Sequence, residues 1–321
     1  MASSTSMFCR RRRGHWLPFW LFGSSSSSSS ALNLFGFRAA TASSNTPTPL
    51  QLQLLDRAAQ VRQQLCQDLY DDTADRLSAK LFYPSSFALD GGQQRRGYCN
   101  WVIPGRLMIG QYPAQTPAEG GPTYEEVRQH IQLLVEDAKI GLFCSLQSEL
   151  PPQDDYDTWA QKGGLVFLEP QSLRQRFPHP FTHYAPMVKE FWRDDDSDTL
   201  QFLHCPIEDL NVPESQEPLQ QLLLDLLNFL LTPHNKKAIY LHCWGGRGRA
   251  GLVGSCLLSL LYPSLSPTDI LRIMQTAYAS RLGHDTMPSV LSRSPQTDVQ
   301  RAFVTQFVHE YQRLLQQANN N

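Results

Sequence analysis

The feature that most constrains this chain is a glycine-rich loop between two apolar runs. Residues 242–251 read His-Cys-Trp-Gly-Gly-Arg-Gly-Arg-Ala-Gly, after a strand-like run at 238–241 and before a helix-like run at 252–261. Glycines let such a backbone curl until successive amides point inward, and a following helix adds its positive N-terminal end. The glycines within the loop are Gly245, Gly246 and Gly248. The segment therefore predicts an anion-binding loop.

Two side chains of this loop suit phosphate chemistry. The planar guanidinium of Arg249 would grip two phosphate oxygens. Together with the amides, it would favour the thiolate form of Cys243, which is the nucleophilic form. We predict that the three glycines, Trp244 and Arg247 bind substrate, and that His242 supports the hydrogen bonds of the loop.

The decapeptide resembles the signature of the cysteine-dependent tyrosine and dual-specificity phosphatases: His-Cys, five residues, Arg, Ser or Thr, then Gly. The resemblance implies hydrolysis of phosphomonoesters through a phosphocysteine intermediate, with no cofactor and no metal. Ala250 stands where the family has a hydroxyl residue that assists the thiolate as leaving group. Some family members, including glucan phosphatases of plants, also carry alanine there.

Two further segments resemble the same family. Asp209 lies in a loop bracketed by Pro206 and Pro213, ahead of the signature. A phosphoester needs its leaving oxygen protonated, and the resemblance implies that Asp209 is this general acid. The adjacent Glu208 should point elsewhere in an extended loop.

The second segment, residues 296–303, reads Gln-Thr-Asp-Val-Gln-Arg-Ala-Phe. It is similar to a family segment whose glutamines position the hydrolytic water, which implies that role for Gln296 and Gln300. Aromatic and apolar residues recur after it at helical spacing, so it should begin a C-terminal amphipathic helix.

Other interpretations of the loop remain open at this point. The pattern Gly246-x-Gly248-x-x-Gly251 matches the dinucleotide-binding fingerprint, which would indicate an oxidoreductase. That interpretation gives Cys243 and Arg249 no function. A structural turn beside an inert buried cysteine is a third possibility.

The substrate is open as well. Phosphorylated protein is the family default, as phosphotyrosine alone or with phosphoserine and phosphothreonine. Family members with a basic residue at the position of Arg247 often act on phosphoinositides or phospholipid phosphates. Ala250, together with a plastid address, would favour a phosphoglucan.

Alternating strand-like and helix-like runs predict an α/β fold, with a central, mainly parallel sheet flanked by helices. By the resemblance this fold is phosphotyrosine-phosphatase-like. The predicted catalytic domain covers residues 98–317, with an edge hairpin at 101–110 and helices over 124–137 and 181–192. Residues 48–97 are predicted to form an N-terminal helical extension and a loop.

The first 55 residues contain no Asp or Glu, but they hold five arginines and a serine run at 24–30. This composition is typical of an organelle transit peptide, so residues 1–47 are predicted to direct the protein to a plastid or mitochondrion. A cytoplasmic protein with a low-complexity tail is the alternative. The apolar patch at 16–22 is too short to span a bilayer, and no integral membrane segment is predicted.

Charge and cysteine usage exclude other classes. The chain has 28 Lys and Arg residues, and five of them are the arginines of the first 55 residues. The rest of the chain therefore has 23 basic residues and all 30 acidic residues. Such an acidic body is a poor candidate for nucleic-acid binding. Seven cysteines without a Cys-x-x-Cys pair argue against a disulfide framework or a zinc site, and favour a reducing compartment.

Overall fold

A computed structural model describes residues 46–68, 98–114, 123–168, 179–193, 200–232, 237–281 and 292–320. The predicted targeting segment, residues 1–47, lies outside these ranges except for its last two positions. The rest of the predicted helical extension and loop, residues 69–97, also lies outside them.

A five-stranded sheet forms the centre of the protein, in the order β1-β2-β7-β3-β6. Its strands are β1 (Cys99–Ile103), β2 (Leu107–Gly110), β3 (Ile140–Gln147), β6 (Gln201–Ile207) and β7 (Ala238–His242). The predicted hairpin is confirmed, because β1 pairs antiparallel with β2 at the edge of the sheet. The remaining pairs are parallel, as the α/β prediction requires.

Helices cover both faces of this sheet, and the predicted fold class is thereby confirmed. Helix α2 (Tyr124–Gln132) continues directly into a π-helical turn, Leu133–Asp137. A small second sheet pairs β4 (Leu165–Leu168) with β5 (His179–Thr182). The helices are α1 (Pro49–Asp68), α2 (Tyr124–Gln132), α3 (Tyr156–Gln161), α4 (Ala185–Phe191), α5 (Gln216–Leu231), α6 (Arg249–Leu261), α7 (Pro267–Ala279) and α8 (Asp298–Asn320).

Strand β7 shows why the central strands are apolar along their whole length. Ile239 and Leu241 enter the core that includes α1, α5, α6 and α8. Ala238 and Tyr240 enter the core on the opposite face, with α2 and α4. Because side chains alternate between the faces of a strand, a sheet covered on both sides needs continuous apolar runs.

Helix α1 is part of the same compact unit as the sheet, which extends from Pro47 to Asn321. Leu54, Ala58 and Val61 are buried in the core that α5 and α6 also line. Arg62 donates a hydrogen bond of 2.7 Å to the carbonyl of Leu260, at the end of α6. The predicted helical extension therefore packs on the catalytic part of the chain.

The helix predicted over residues 181–192 is wrong in its first turn. Phe181 and Thr182 belong to β5, where Phe181 pairs with Val166 of β4. Helix α4 begins only at Ala185, with Pro186 in its first turn, where a proline is tolerated. Pairing with a strand distant in sequence determines the conformation of residues 181–182.

Among the residues that the structure describes, no helix combines the length and the apolar composition that crossing a bilayer requires.

Two buried histidines make the stability of the fold depend on pH. His130 of α2 and His242 of β7 are both buried, and burial lowers the pKa of each from an ordinary value of 6.5 to about 3. Below pH 6.5 the unfolded chain binds protons that the folded protein excludes. Stability is therefore complete above pH 6.5 and falls as the pH decreases toward 3.

We predict that His130→Gln lowers the number of protons taken up on unfolding by about one. The slope of the unfolding free energy against pH should then decrease by about 1.4 kcal/mol per pH unit. Urea unfolding between pH 4 and pH 6 measures the slope of the unfolding free energy against pH. The exposed His309 of α8 gives a matched control, His309→Gln, which should leave the slope near that of the wild type. Equal slopes in the two variants would contradict a neutral, buried His130.

Candidate active site

The predicted anion-binding loop lies at the carboxyl edge of the central strand. Strand β7 ends at His242, which is aligned with Gly110 on one side and Ser145 on the other. Cys243 follows directly and is only 3% exposed. Residues 243–249, which we call the cradle loop, then lead into α6. Ligands of open α/β sheets bind at this edge.

Gly246 shows why the cradle loop needs glycine. Its φ is +63°, a left-handed conformation that side chains with a Cβ rarely adopt. A Cβ at this position would also overlap the backbone carbonyl of Gly110 at the end of β2. The close approach of these two glycines brings the loop down onto the edge of the sheet.

The guanidinium of Arg249 is buried at the first turn of α6 and is only 1% exposed. Its Nη1 donates to Oε2 of Glu149 at 2.6 Å and to the carbonyl of Ile207 at 3.0 Å. Its Nη2 lies 3.0 Å from Oδ1 of Asp209. Burial lowers the pKa of Arg249, but Cys243, Glu149 and Asp209 outweigh it, so the pKa is raised overall. The residue therefore stays cationic beside Cys243.

Part of this guanidinium is available for a ligand. Nε of Arg249 is buried, and no acceptor for it exists among the described residues. Buried donors in proteins nearly always have a partner. An oxyanion in the cradle loop could supply that partner, and the arrangement therefore suits phosphate binding.

Asp209 and Glu208 are separated as the sequence predicts. Asp209 lies in the turn after β6, with its side chain 35% exposed and its carboxylate on Arg249. Glu208 is exposed and accepts a hydrogen bond of 3.1 Å from Nδ2 of Asn211. The structure thus gathers Asp209, Arg249 and Cys243, and directs Glu208 elsewhere.

His242, which precedes the cradle loop, is hydrogen-bonded to a tyrosine. Its Nε2 is 2.7 Å from the hydroxyl of Tyr184, and both residues are buried. Burial, followed by the nearby His204 and Arg249, lowers the pKa of His242 to about 3. His242 is therefore a neutral packing residue next to Cys243.

The remaining predicted site residues belong to the cradle loop or adjoin it. The carbonyl of Trp244 accepts from the amide of Tyr112 at 3.1 Å, and its indole packs edge to face on Phe181. Nε of Arg247 donates to Oε1 of Gln296 at 3.1 Å. A Cβ at Gly248 would lie 3.2 Å from Oε1 of Gln300 and 3.3 Å from Oε1 of Gln296, so both glutamines adjoin the loop.

Sequence reasoning missed two residues of the site. One is Glu149, which follows β3 and pairs with Arg249. The other is Arg281, whose buried guanidinium binds the outer side of the cradle loop. Its Nη2 donates to the carbonyl of Gly246 at 2.7 Å, its Nη1 to that of Gly245 at 3.2 Å, and its Nε to Oδ1 of Asn100 at 2.7 Å. Because Arg281 binds these two carbonyl oxygens, the backbone amides of the cradle loop remain available for an anion.

Neither residue carries a signal in the sequence. Glu149 is one acid in a polar stretch, and Arg281 is a single basic residue after α7. In the described ranges, no group of His, Cys, Asp or Glu side chains is placed to hold a metal ion. The dinucleotide interpretation would leave the assembly of Cys243, Arg249 and Asp209 without a role.

Comparison with known proteins agrees with this geometry. Residues 181–304 match the family model of the Swiss Army Knife protein, DSP-PTPase phosphatase domain. A protein of Invertebrate iridescent virus 3 named "Putative tyrosine phosphatase 067L" is 32% identical over 113 residues. That match covers 33% of this chain and 43% of the viral protein, which is less than half of its length.

Solved structures of phosphatases are also similar to this chain. The match to the crystal structure of Tk-PTP in its active form covers 67% of this chain and 96% of the Tk-PTP chain, with 18% identity and a TM-score of 0.37. The match to the crystal structure of PTPMT1 covers 70% of this chain and 100% of the PTPMT1 chain, with 14% identity and a TM-score of 0.41.

The cradle loop has the features of an anion-binding loop at the edge of an α/β sheet, and it lies within the residues that match the DSP-PTPase family model. Residues 181–304 are similar to a DSP-PTPase phosphatase domain, which agrees with the superfamily of cysteine-dependent tyrosine and dual-specificity phosphatases that the resemblance implied.

We predict that Arg281→Met lowers the affinity for tungstate, an oxyanion analogue of phosphate, at least ~10-fold and destabilises the fold by about 2–4 kcal/mol. The reason is that the carbonyls of Gly245 and Gly246 lose their charged donor in a buried setting. Titration calorimetry and urea unfolding measure the two effects. Arg272→Met on α7 is the control, since Arg272 is exposed and pairs with Asp269. Unchanged tungstate affinity in Arg281→Met would remove Arg281 from the support of the loop.

Proposed function

We propose that the protein hydrolyses phosphomonoesters through a phosphocysteine intermediate. Cys243 is the nucleophile, Arg249 binds the phosphoryl oxygens, and Asp209 is the general acid. The observation that most supports this proposal is the buried guanidinium of Arg249, which belongs to the same loop as Cys243 and lies 3.0 Å from Oδ1 of Asp209.

In the first step, the thiolate of Cys243 attacks phosphorus in line with the leaving oxygen. The S–P bond forms as the P–O bond breaks, and Asp209 transfers its proton to the departing alcohol or phenol. Arg249 and the amides of the cradle loop stabilise the charge on the equatorial oxygens, which is the main task in phosphoryl transfer.

In the second step, water attacks phosphorus and Asp209, now a carboxylate, accepts its proton. The S–P bond breaks, and the thiolate and inorganic phosphate are released. Ala250 is buried and offers no hydroxyl to the departing sulfur. Stabilisation of the thiolate in this step therefore depends on Arg249 and the loop amides.

An ion pair between Asp209 and Arg249 holds the two side chains together. A phosphate that enters the cradle loop offers its oxygens to the same guanidinium that Asp209 contacts. The ligand therefore competes with Asp209 for Arg249, and this competition frees the carboxyl to face the leaving oxygen.

We predict that Cys243→Ser lowers turnover of 4-nitrophenyl phosphate at least ~10⁴-fold, while tungstate still binds. Burial raises the pKa of the Cys99 thiol to about 12 and that of Cys205 to about 11. Iodoacetamide at neutral pH should therefore modify Cys243 before either of them, with loss of activity in proportion.

Cys205→Ser is the matched control, because this strand residue is also buried but lies in the core. It should keep the activity of the wild type. Turnover by Cys243→Ser at the wild-type rate would exclude the phosphocysteine mechanism.

For the substrate, we propose phosphorylated protein, as phosphotyrosine or with dual specificity. Two basic residues, Arg247 and Arg249, belong to the cradle loop, and Nε of Arg247 is already bonded to Gln296. Glu149 and Asp209 place carboxylates beside the loop. This balance of charge suits one phosphate better than a headgroup that carries several.

A panel of substrates tests this proposal. We expect kcat/KM for phosphotyrosine peptides to exceed that for phosphatidylinositol phosphates at least ~10-fold, because the further phosphates of the headgroup would face those carboxylates. Phosphorylated glucan is the third class of substrate in the panel. Phosphoserine peptides in the same panel separate tyrosine specificity from dual specificity. A preference for the inositol lipids or for glucan would assign the protein to that substrate class instead.

A further inference from the structure

The loop that carries Asp209 is bound to the start of helix α8. We call residues 208–213, which follow β6, the acid loop. Thr297 donates from Oγ1 to the carbonyl of Leu210 at 3.2 Å. Gln300 donates from Nε2 to the carbonyl of Asn211 at 2.9 Å. These two carbonyls belong to the two residues directly after Asp209, so the bonds restrain the part of the loop that sets its position.

The side-chain amide of Gln300 has a fixed orientation. Gln300 is fully buried, and its Oε1 accepts from the backbone amides of Gln296 at 3.1 Å and Thr297 at 3.2 Å. Its Nε2 faces the carbonyl of Asn211. Rotating the amide by 180° would place donor against donor and acceptor against acceptor. The oxygen therefore caps the start of α8, and the amino group is directed to the acid loop.

The backbone of the acid loop has a strained residue at the same point. Leu210 has a φ of +63°, although it is not a glycine, and its side chain is 50% exposed. A left-handed conformation is unfavourable for such a residue, and it persists where surrounding bonds hold it. The bond from Thr297 to the Leu210 carbonyl is one such restraint, and it comes from a residue 87 positions away.

The same segment also touches the cradle loop. Oε1 of Gln296 accepts from Nε of Arg247, and Oε1 of Gln300 lies against Gly248. Residues 296–300 therefore connect the loop that carries the nucleophile to the loop that carries the acid. This contact fixes the relative position of the two catalytic groups.

We propose that Gln300, with Thr297, is a positioning residue that holds Asp209 over the cradle loop for protonation of the leaving oxygen. The inference rests on the proposed phosphatase function and assigns Gln300 to the first chemical step. The family resemblance implies a different role, which is to position water in the second step. In this structure the oxygen of Gln300 already accepts two backbone hydrogen bonds, which favours the acid-loop role.

A pair of substrates with different leaving groups tests this assignment. Phenyl phosphate needs its leaving oxygen protonated, whereas 4-nitrophenyl phosphate releases a more stable anion. The ratio kcat/KM reports steps up to phosphoenzyme formation, so a defect in water positioning leaves it unchanged. General acid catalysis contributes about 10²–10⁴-fold, so its loss is measurable on the poorer leaving group.

We expect Gln300→Glu to lower kcat/KM for phenyl phosphate at least ~10-fold more than for 4-nitrophenyl phosphate. The substitution keeps the shape of the side chain but places a carboxylate oxygen against the carbonyl of Asn211. Thr297→Val should show the same selectivity to a smaller extent, and it carries the test if Gln300→Glu does not fold. In an Asp209→Asn background, neither substitution should add a selective loss, because the group that they position is gone.

Thr305→Val is the matched control. Its hydroxyl bonds to the carbonyl of Arg301 within α8, at 3.0 Å and away from the acid loop, so kcat/KM should be unchanged for both substrates. A fall of kcat in Gln300→Glu with a larger burst of nitrophenol, but with kcat/KM preserved on both substrates, would overturn the inference in favour of the water role. Wild-type protein that turns over neither substrate, or a Cys243→Ser variant that turns over both at the wild-type rate, would instead reject the proposed function.

Discussion

Burying the positive charge of Arg249 is the constraint on which the site depends. A guanidinium removed from water is destabilising unless acceptors and counter-charges surround it. Glu149 follows β3, and the Ile207 carbonyl and Asp209 mark the end of β6, so these groups come from neighbouring strands. Satisfying one cation therefore aligns two strand ends with the first turn of α6. Arg249, the proposed phosphate-binding group, and Asp209, the proposed acid, obtain their relative position from this pairing.

Much of this arrangement could be predicted from local pattern. Residues 238–261 contain an apolar strand, a glycine-rich loop and an apolar helix in direct succession, and each has its own signal. The spacing of Cys243 and Arg249 within one loop fixes their proximity, whatever the rest of the fold does. Asp209 could be predicted because prolines bracket its loop and because the family resemblance supplied the expectation of an acid.

The other parts depend on contacts between distant segments. Arg281 meets the cradle loop because α7 returns to β1 and β2, and nothing in its immediate sequence marks that destination. Glu149 is likewise defined by its partner Arg249, one hundred residues later. Residues 181–182 form a strand because β4 is beside them, although their own sequence is compatible with a helix. In each case a tertiary partner decides the outcome, and local propensity does not.

Helix α1 has a consequence for how the protein can be divided into fragments. Its apolar face completes the core beneath β7, α5 and α6, and Arg62 caps the carboxyl end of α6 through the Leu260 carbonyl. The residues that carry chemistry all lie far downstream, yet the smallest autonomous fragment would have to begin near Pro47. An expression fragment trimmed to the signature-bearing region would expose leucine side chains that the intact protein keeps from water.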